Sequence, residues 1–148
     1  MTQPRPRFHL AFPVRNVEAT RAFYVERLGA RVGRVDRASV PRWIDFDFFG
    51  HQLSAHLVDD WVAASGSNPV DGDQVPCRHF GVILDPPAWR NLATRLQSLG
   101  QEFLIAPKTR FAGEPGEQST FFVVDPSGNA LEFKAFADDS DVFATKPA

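Results

Sequence analysis

An internal repeat constrains the fold of this chain more than any other feature of its sequence. Each copy opens with a histidine at the start of an apolar run, His9 in the first and His79 in the second. Both runs continue into a helical pattern that ends in Leu-Gly after nearly the same number of residues, at Gly29 and Gly100. Two copies of one supersecondary unit predict a fold that is built from two similar modules.

The remainder of each copy follows the same order of elements. Asn16 and Asp85 are suited to cap the helix N-termini, and Pro86 suits the first position of a helix. Strand-like runs follow each helix, at residues 30–35, 43–49 and 52–58 in the first copy and at 102–106, 120–124 and 130–136 in the second. The predicted fold class is therefore α+β, with two β-α-β-β-β modules that form a curled mixed sheet.

The chain has 148 residues, 43% of them hydrophobic, which is enough for one domain with a substantial core. We predict a single domain over residues 1–148, with module one at about 7–62 and module two at about 77–137. The segment between the modules, about 63–76, is rich in Ser, Gly, Asn, Pro and Asp, which is typical of a linker.

Charge and composition exclude several classes of partner. The formal net charge is −2 and the arginines are scattered, so we expect neither a nucleic-acid partner nor a membrane-surface patch. No apolar run approaches the roughly 20 residues of a membrane span. Cys77 is the only cysteine, so an internal disulfide cannot form, and we expect a cytoplasmic protein that acts on a small molecule.

Four potential metal ligands lie on predicted strands, and they include three of the four histidines: His9, His56, His79 and Glu132. Alternate residues of a strand share a face, and each candidate has a small or polar neighbour two positions away, while the bulky apolar residues have the opposite parity. Imidazole and carboxylate together are typical of a first-row transition-metal site. The alternative is that Lys134, which shares the face of Glu132, neutralises that carboxylate without any metal.

The run Asp125-Pro-Ser-Gly-Asn-Ala-Leu-Glu132-Phe, with the paired modules and the strand histidines, resembles the vicinal oxygen chelate superfamily. That superfamily includes glyoxalase I, bleomycin-resistance proteins, fosfomycin-resistance transferases and extradiol dioxygenases. The resemblance covers about residues 7–136 and implies that the curled sheets enclose a metal cavity. It also implies that His9, His79 and Glu132 are metal ligands. His56 would hold the last-strand position of module one, where glyoxalase-type enzymes usually have a glutamate.

The runs at 43–53 and 113–118 are similar to a bacterial subgroup described as predicted extradiol-type dioxygenases. Two histidines and one carboxylate form the facial triad of non-haem Fe(II) oxygenases. The resemblance therefore favours a ring-cleaving dioxygenase that uses Fe(II), with Ni, Zn or Mn as other possible divalent metals, on a catechol-like substrate. His56 would be a fourth ligand or an acid/base, and His51 is a second acid/base candidate.

Two other functions remain open at this point. In a glyoxalase I-type isomerase or lyase, Ni²⁺ or Zn²⁺ bound by three histidines and one glutamate would polarise an adjacent carbonyl and hydroxyl. A non-catalytic binding protein of the bleomycin-sequestering kind would need no metal. For substrate contacts we single out Arg110, Lys134 and Phe111. The family resemblance also implies a homodimer, in which His9 and His79 could come from different subunits.

Overall fold

The computed structural model describes residues 4–63 and 66–145. The chain divides into two compact units, residues 1–62 and residues 63–148. Each unit carries one copy of the predicted repeat, and each copy is formed by a four-stranded mixed sheet with one helical segment.

Module one lies in the first unit. Its elements are β1 (His9–Val14), α1 (Val17–Ala22), a π-helical segment (Phe23–Arg27), β2 (Arg31–Val35), β3 (Trp43–Phe48) and β4 (His51–Leu57). The strands lie in the order β1-β4-β3-β2. β1 and β4 are parallel, and the other neighbouring strands are antiparallel.

Module two lies in the second unit. The elements of that unit are β5 (Ser67–Val70), β6 (Asp73–Pro76), β7 (His79–Ile83), α2 (Pro86–Ser98), β8 (Ile105–Arg110), β9 (Gln118–Val124), β10 (Ala130–Phe136) and a 3₁₀ helix (Asp139–Phe143). The order β7-β10-β9-β8 repeats that of module one, again with one parallel pair, β7 and β10. The predicted α+β fold of two β-α-β-β-β modules is thereby confirmed.

Both helix starts form as the sequence predicts. Asn16 Oδ1 accepts a hydrogen bond of 2.8 Å from the backbone N–H of Ala19, and Asp85 Oδ1 accepts one of 2.8 Å from Ala88. Each bond satisfies one of the backbone donors that a helix leaves free at its first turn. Leu99 is the C-cap residue of α2 and is 45% exposed, so the buried face of the helix ends at Leu96.

Aromatic side chains fill the face of each sheet that the helix covers. In module one the fully buried Tyr24 stacks on Phe46, with ring centroids 5.2 Å apart, and also contacts Phe12. In module two Phe121 stacks on Phe133 at 5.3 Å and contacts Trp89. Residues of opposite parity on the same strands therefore lie on the other face of each sheet.

Within the segment predicted as a linker, β5 and β6 form an antiparallel hairpin that the composition of the segment did not indicate. The turn between these strands is Asp71-Gly72, and both residues have positive φ, of 45° and 84°. Asp-Gly is a preferred sequence for the two-residue type I′ turn, so the signal was present within a run that is otherwise rich in loop residues. β8 also begins later than predicted, at Ile105, and has an irregular register between Ile105 and Lys108.

No helix within residues 4–63 and 66–145 is both long enough and apolar enough to cross a membrane.

Candidate metal centre

His79 and Glu132, which the sequence singles out as metal ligands, lie together on one face of module two. His79 Nε2 is 3.0 Å from Glu132 Oε2, and the side chains are 31% and 13% exposed. The two residues belong to the adjacent parallel strands β7 and β10. An imidazole nitrogen and a carboxylate oxygen thus face each other at a partly buried position.

Gly81 allows the two strands to approach each other at this point. It lies directly opposite Glu132 in the strand register, and a Cβ added to it would overlap the backbone carbonyl of Glu132. Glycine is required where another backbone comes this close. The sequence marks Gly81 only as a small neighbour of His79, so its role in strand packing was missed.

Neighbouring groups fix the orientation of both side chains. His79 Nδ1 is 2.6 Å from the carbonyl oxygen of Pro76, and because a carbonyl only accepts, Nδ1 carries a proton and donates. The other carboxylate oxygen of Glu132 accepts a 2.8 Å hydrogen bond from the hydroxyl of Thr120. Metal-binding histidines commonly donate their second ring N–H to a carbonyl or carboxylate, which directs the free nitrogen to the metal. The surroundings of His79 have this arrangement.

The charges of the pair reinforce each other. The hydrogen bond to Glu132 is the main cause that raises the pKa of His79 above its usual value. Burial alone would raise the pKa of Glu132, but the hydrogen bond from His79 and the positive charge of Lys134 outweigh burial, so the pKa is lowered. Imidazolium and carboxylate are therefore favoured together. A proton and a divalent cation compete for the same two atoms.

The Asp125-Pro-Ser-Gly-Asn run, the most specific part of the family resemblance, closes the turn between β9 and β10. The buried Asp125 carboxylate accepts hydrogen bonds from the backbone N–H groups of Ser127 and Asn129, at 2.8 Å and 2.9 Å. Gly128 takes the positive φ of 85° that the turn needs. This turn sets the register of β10, and with it the position of Glu132.

Module one carries a different residue at the position equivalent to Glu132. In module two, Glu132 lies opposite the residue two positions after His79. In module one, Ala11 is two positions after His9, and it lies opposite Ser54. His56 lies opposite Pro13 and is therefore equivalent to Lys134 of module two. The prediction that His56 holds the last-strand ligand position is wrong.

His9 and His56 share a face of the module-one sheet, but they are separated along it. His9 lies opposite Gln52, so four residues, or about 13 Å at about 3.3 Å per residue, separate the two imidazoles along the strands. Because strand side chains stand roughly perpendicular to the sheet, these two rings do not converge. Both histidines are exposed.

His51, the second acid/base candidate, has a structural partner. Its Nδ1 accepts a 3.0 Å hydrogen bond from the backbone N–H of Phe8, just before β1. Its proton is therefore on Nε2, and the ring is a donor at that atom rather than a general base. His51 also has the parity of the buried Leu53, as the regular register of β4 requires.

The three predicted substrate-binding residues have different surroundings. Arg110 is buried, and its guanidinium lies 2.9 Å from Asp73 Oδ2 and donates a 3.0 Å hydrogen bond to the carbonyl of Val70. The interaction ties β8 to the β5–β6 hairpin, so this cation is already used within the protein. Lys134 remains on the face of Glu132, and Phe111 is partly exposed in the turn after β8.

His79 and Glu132 fit a divalent first-row metal by their donor types, by their separation and by the hydrogen bonds that orient them. They supply two ligands. Among residues 4–63 and 66–145, no group of three or more His, Cys, Asp and Glu side chains is gathered closely enough to hold an ion. A complete centre on this pair therefore needs a further ligand or solvent.

Comparison with known proteins agrees with the repeat and the strand order. A model of the Glyoxalase/Bleomycin resistance protein/Dioxygenase superfamily matches residues 8–133. A crystal structure of a glyoxalase/bleomycin resistance protein/dioxygenase from Alicyclobacillus acidocaldarius is 36% identical, with a TM-score of 0.78. That comparison covers 97% of this chain and 100% of the other.

More distant structures share the fold. The fosfomycin resistance protein FosX from Listeria monocytogenes is 16% identical with a TM-score of 0.65, over 94% of this chain and 98% of the other. TioX from Micromonospora sp. ML1 is 14% identical with a TM-score of 0.64, over 88% and 98%. No curated protein sequence matches the chain. On the family match and the 36% identical structure, this chain belongs to the glyoxalase/bleomycin resistance protein/dioxygenase superfamily.

Proposed function

We propose that this chain is a metal-dependent enzyme and that it acts as an extradiol-type dioxygenase on a small catechol-like substrate. The observation that carries the proposal is the His79–Glu132 pair, with its 3.0 Å separation and its fixed imidazole orientation. Fe(II) is the metal that we favour, because two imidazoles and one carboxylate form the facial triad of non-haem iron oxygenases.

His9 is the third ligand in this proposal. It holds the same place in module one that His79 holds in module two, on the first strand of the same sheet order. Its ring is exposed. We propose that module one supplies it, either from the same chain or from a second copy in a homodimer.

The chemistry at Ser54 favours a three-ligand site over a glyoxalase I-type site. A fourth ligand of the glyoxalase type would be a carboxylate on the last strand of module one, at the position equivalent to Glu132. Ser54 stands there, and its hydroxyl donates a 2.6 Å hydrogen bond to Asp45 Oδ1. Without a carboxylate at this position, the site lacks the metal-bound base that moves a proton between carbons.

The residues around the pair would have separate tasks. Fe(II) would supply the positions at which a vicinal diol and O₂ meet. Thr120 holds one oxygen of Glu132 and leaves the other for the metal, and the Pro76 carbonyl holds the His79 ring. Lys134 adds a positive charge on the same face, which suits an ionised diol oxygen. His56, exposed on the face of His9, is the remaining candidate for proton transfer.

The test combines metal content with turnover. Protein purified without oxygen should retain iron and should consume O₂ with some member of a panel of catechols. Glu132→Gln should lose both properties, since a neutral amide is a poor ligand for Fe(II). Glu114→Gln, which removes an exposed carboxylate in the turn after β8, is the matched control and should retain both.

Two results would contradict the proposal. One is the absence of O₂ uptake with every catechol by a sample that contains stoichiometric iron. The other is isomerisation of a hemithioacetal by Ni²⁺-loaded protein, which would establish glyoxalase-type chemistry instead. Binding of a small molecule that is unchanged in Glu132→Ala would favour a non-catalytic binding protein.

A further inference from the structure

We propose that module one contains a subsite for a carboxylate group of the substrate, beside the strand that carries His9. This inference rests on the proposed function, because it specifies the substrate as a catechol with an anionic substituent. The subsite is a surface groove of about 520 Å³ on module one. Its charged lining consists of three arginines, Arg7, Arg31 and Arg34, and two aspartates, Asp45 and Asp47.

The groove carries positive charge that the protein does not neutralise. Arg31 is paired with Asp47, with 2.7 Å between Nη2 and Oδ2. Within the described residues, neither Arg7 nor Arg34 has a carboxylate within ion-pair distance, and the charge of Arg7 acts on Asp47 only as a minor cause of its lowered pKa. Arg34 lies over the ring of Trp43, 5.9 Å from its centroid, which steadies the guanidinium without neutralising it.

Neutral residues also line the groove. His51 is one of them, and its Nδ1 accepts the hydrogen bond from the backbone N–H of Phe8. The side-chain amide of Gln52 supplies an N–H group. The backbone of Phe8 is held on both sides, by His51 and by the N–H of Gln52, which fixes the start of the chain segment that bears Arg7.

Both carboxylates of the groove already have hydrogen-bond donors. Asp45 Oδ1 accepts a hydrogen bond of 2.6 Å from the hydroxyl of Ser54. Asp47 Oδ1 accepts the N–H of Gly50 at 2.8 Å, and its other oxygen is bound by Arg31. The groove has three guanidinium groups and two carboxylates, and both carboxylates already have donors. Its lining therefore carries one excess positive charge, which suits the binding of one additional anionic group.

The groove begins next to the proposed ligand His9. Gln52, which lines the groove, is the direct partner of His9 in the β1–β4 register, and adjacent strands are about 4.8 Å apart. Both residues lie on the same face of the sheet. A catechol held at a metal near His9 would therefore place a ring substituent over Gln52 and toward the arginines.

The experiment compares 3,4-dihydroxybenzoate with its neutral analogue 3,4-dihydroxybenzamide by calorimetry on Zn²⁺-loaded protein, which cannot turn over. We expect the carboxylate to bind about tenfold more tightly, about 1.4 kcal/mol, and the preference to weaken at high salt. Arg34→Gln and Arg7→Gln should each reduce the preference. Arg21→Gln, at an exposed position on α1, removes the same charge elsewhere and should leave it unchanged.

Equal affinity for the two probes, lack of binding by both, or an unchanged preference in both arginine variants would overturn the subsite. Benzoate, which has no vicinal oxygens, separates this outcome from failure of the proposed reaction. Weak benzoate binding to metal-free protein that is lost in Arg34→Gln, without any O₂ uptake, would retain the subsite and reject the dioxygenase. Equal turnover of charged and neutral catechols would retain the dioxygenase and reject the subsite.

Discussion

Modules one and two place their strands in the same order, yet they carry different chemistry at equivalent positions. Module two has a carboxylate, Glu132, across from Gly81, and it is bound by His79. Module one has Ser54 across from Ala11, and its carboxylate, Asp45, is on the next strand. The two modules therefore share a backbone arrangement, and the residues at a few register positions decide which of them holds a histidine–carboxylate pair.

The difference also extends to the electrostatic surroundings. On the face of module two that carries Glu132, the partly buried carboxylate is balanced by His79 and Lys134. The corresponding face of module one has a groove lined by three arginines, and among the described residues only Arg31 of these has an ion-pair partner. The two halves therefore differ in the charge that each is suited to bind, a cation beside Glu132 in module two and an anion beside the arginines of module one.

The largest effect is expected from adding one methyl group at the strand contact of module two. Gly81→Ala should destabilise the protein by roughly 3 kcal/mol, because the new Cβ overlaps the backbone of Glu132 and the strands must separate. Ala11 is the equivalent residue of module one and already has a Cβ, so Ala11→Gly should cost no more than about 1 kcal/mol. Urea denaturation of both variants measures the contrast, and equal losses would show that the two strand contacts do not differ.

The elements that sequence predicted well are those set by local interactions. The caps at Asn16 and Asp85 depend on residues three positions away. The bounds predicted for β10, 130–136, match the structure because the Asp125 turn fixes where the strand begins. These local features can be predicted without knowing which strands pair with one another.

The features that sequence missed depend on pairing between distant segments. Strand parity placed His56 on the correct face, but a shift of two residues leaves every face unchanged, so alternation cannot distinguish His56 from Ser54. Only the pairing of β1 with β4 makes that choice. Arg110 was likewise assigned to a substrate, since its burial depends on a hairpin that the loop-rich composition concealed.

The second prediction compares the two last-strand positions directly. Glu132→Gln should reduce affinity for a divalent metal by at least a hundredfold, because it removes a charged ligand and leaves His79 without its partner. Ser54→Ala, at the equivalent position of module one, should change metal affinity by less than about threefold, within the range of indirect effects. Titration with Zn²⁺ by calorimetry measures both variants. A comparable loss in Ser54→Ala would mean that both modules supply last-strand ligands.

A smaller effect is expected from the residue that orients Glu132. Thr120→Val keeps the shape of the side chain but removes the 2.8 Å hydrogen bond to Oε1, so metal affinity should fall roughly tenfold. Ser119→Ala is the neighbouring control on β9, with its side chain on the opposite face, and it should have no such effect. If Thr120→Val binds metal as tightly as the natural protein, the hydroxyl has no role in positioning the carboxylate.

The smallest effect concerns an arginine–aspartate pair in each half, and it is measured as the loss of stability in acid. Arg110–Asp73 in the second unit is 4% and 26% exposed, whereas Arg31–Asp47 in module one is 84% and 41% exposed. The hydrogen bond from Lys108 is the main cause that lowers the pKa of Asp73, and the one from Arg31 lowers the pKa of Asp47. A carboxylate whose pKa is lowered in the folded state stabilises the fold at pH values above its unfolded pKa of 3.8, and this contribution is lost as the pH falls through the folded pKa.

The melting temperature of the natural protein should therefore fall below pH 4 more steeply than that of Asp73→Asn. Asp47→Asn should follow the natural protein more closely, because solvent weakens the exposed pair. Identical acid profiles for Asp73→Asn and the natural protein would show that the hairpin is held by packing rather than by the charge of Asp73.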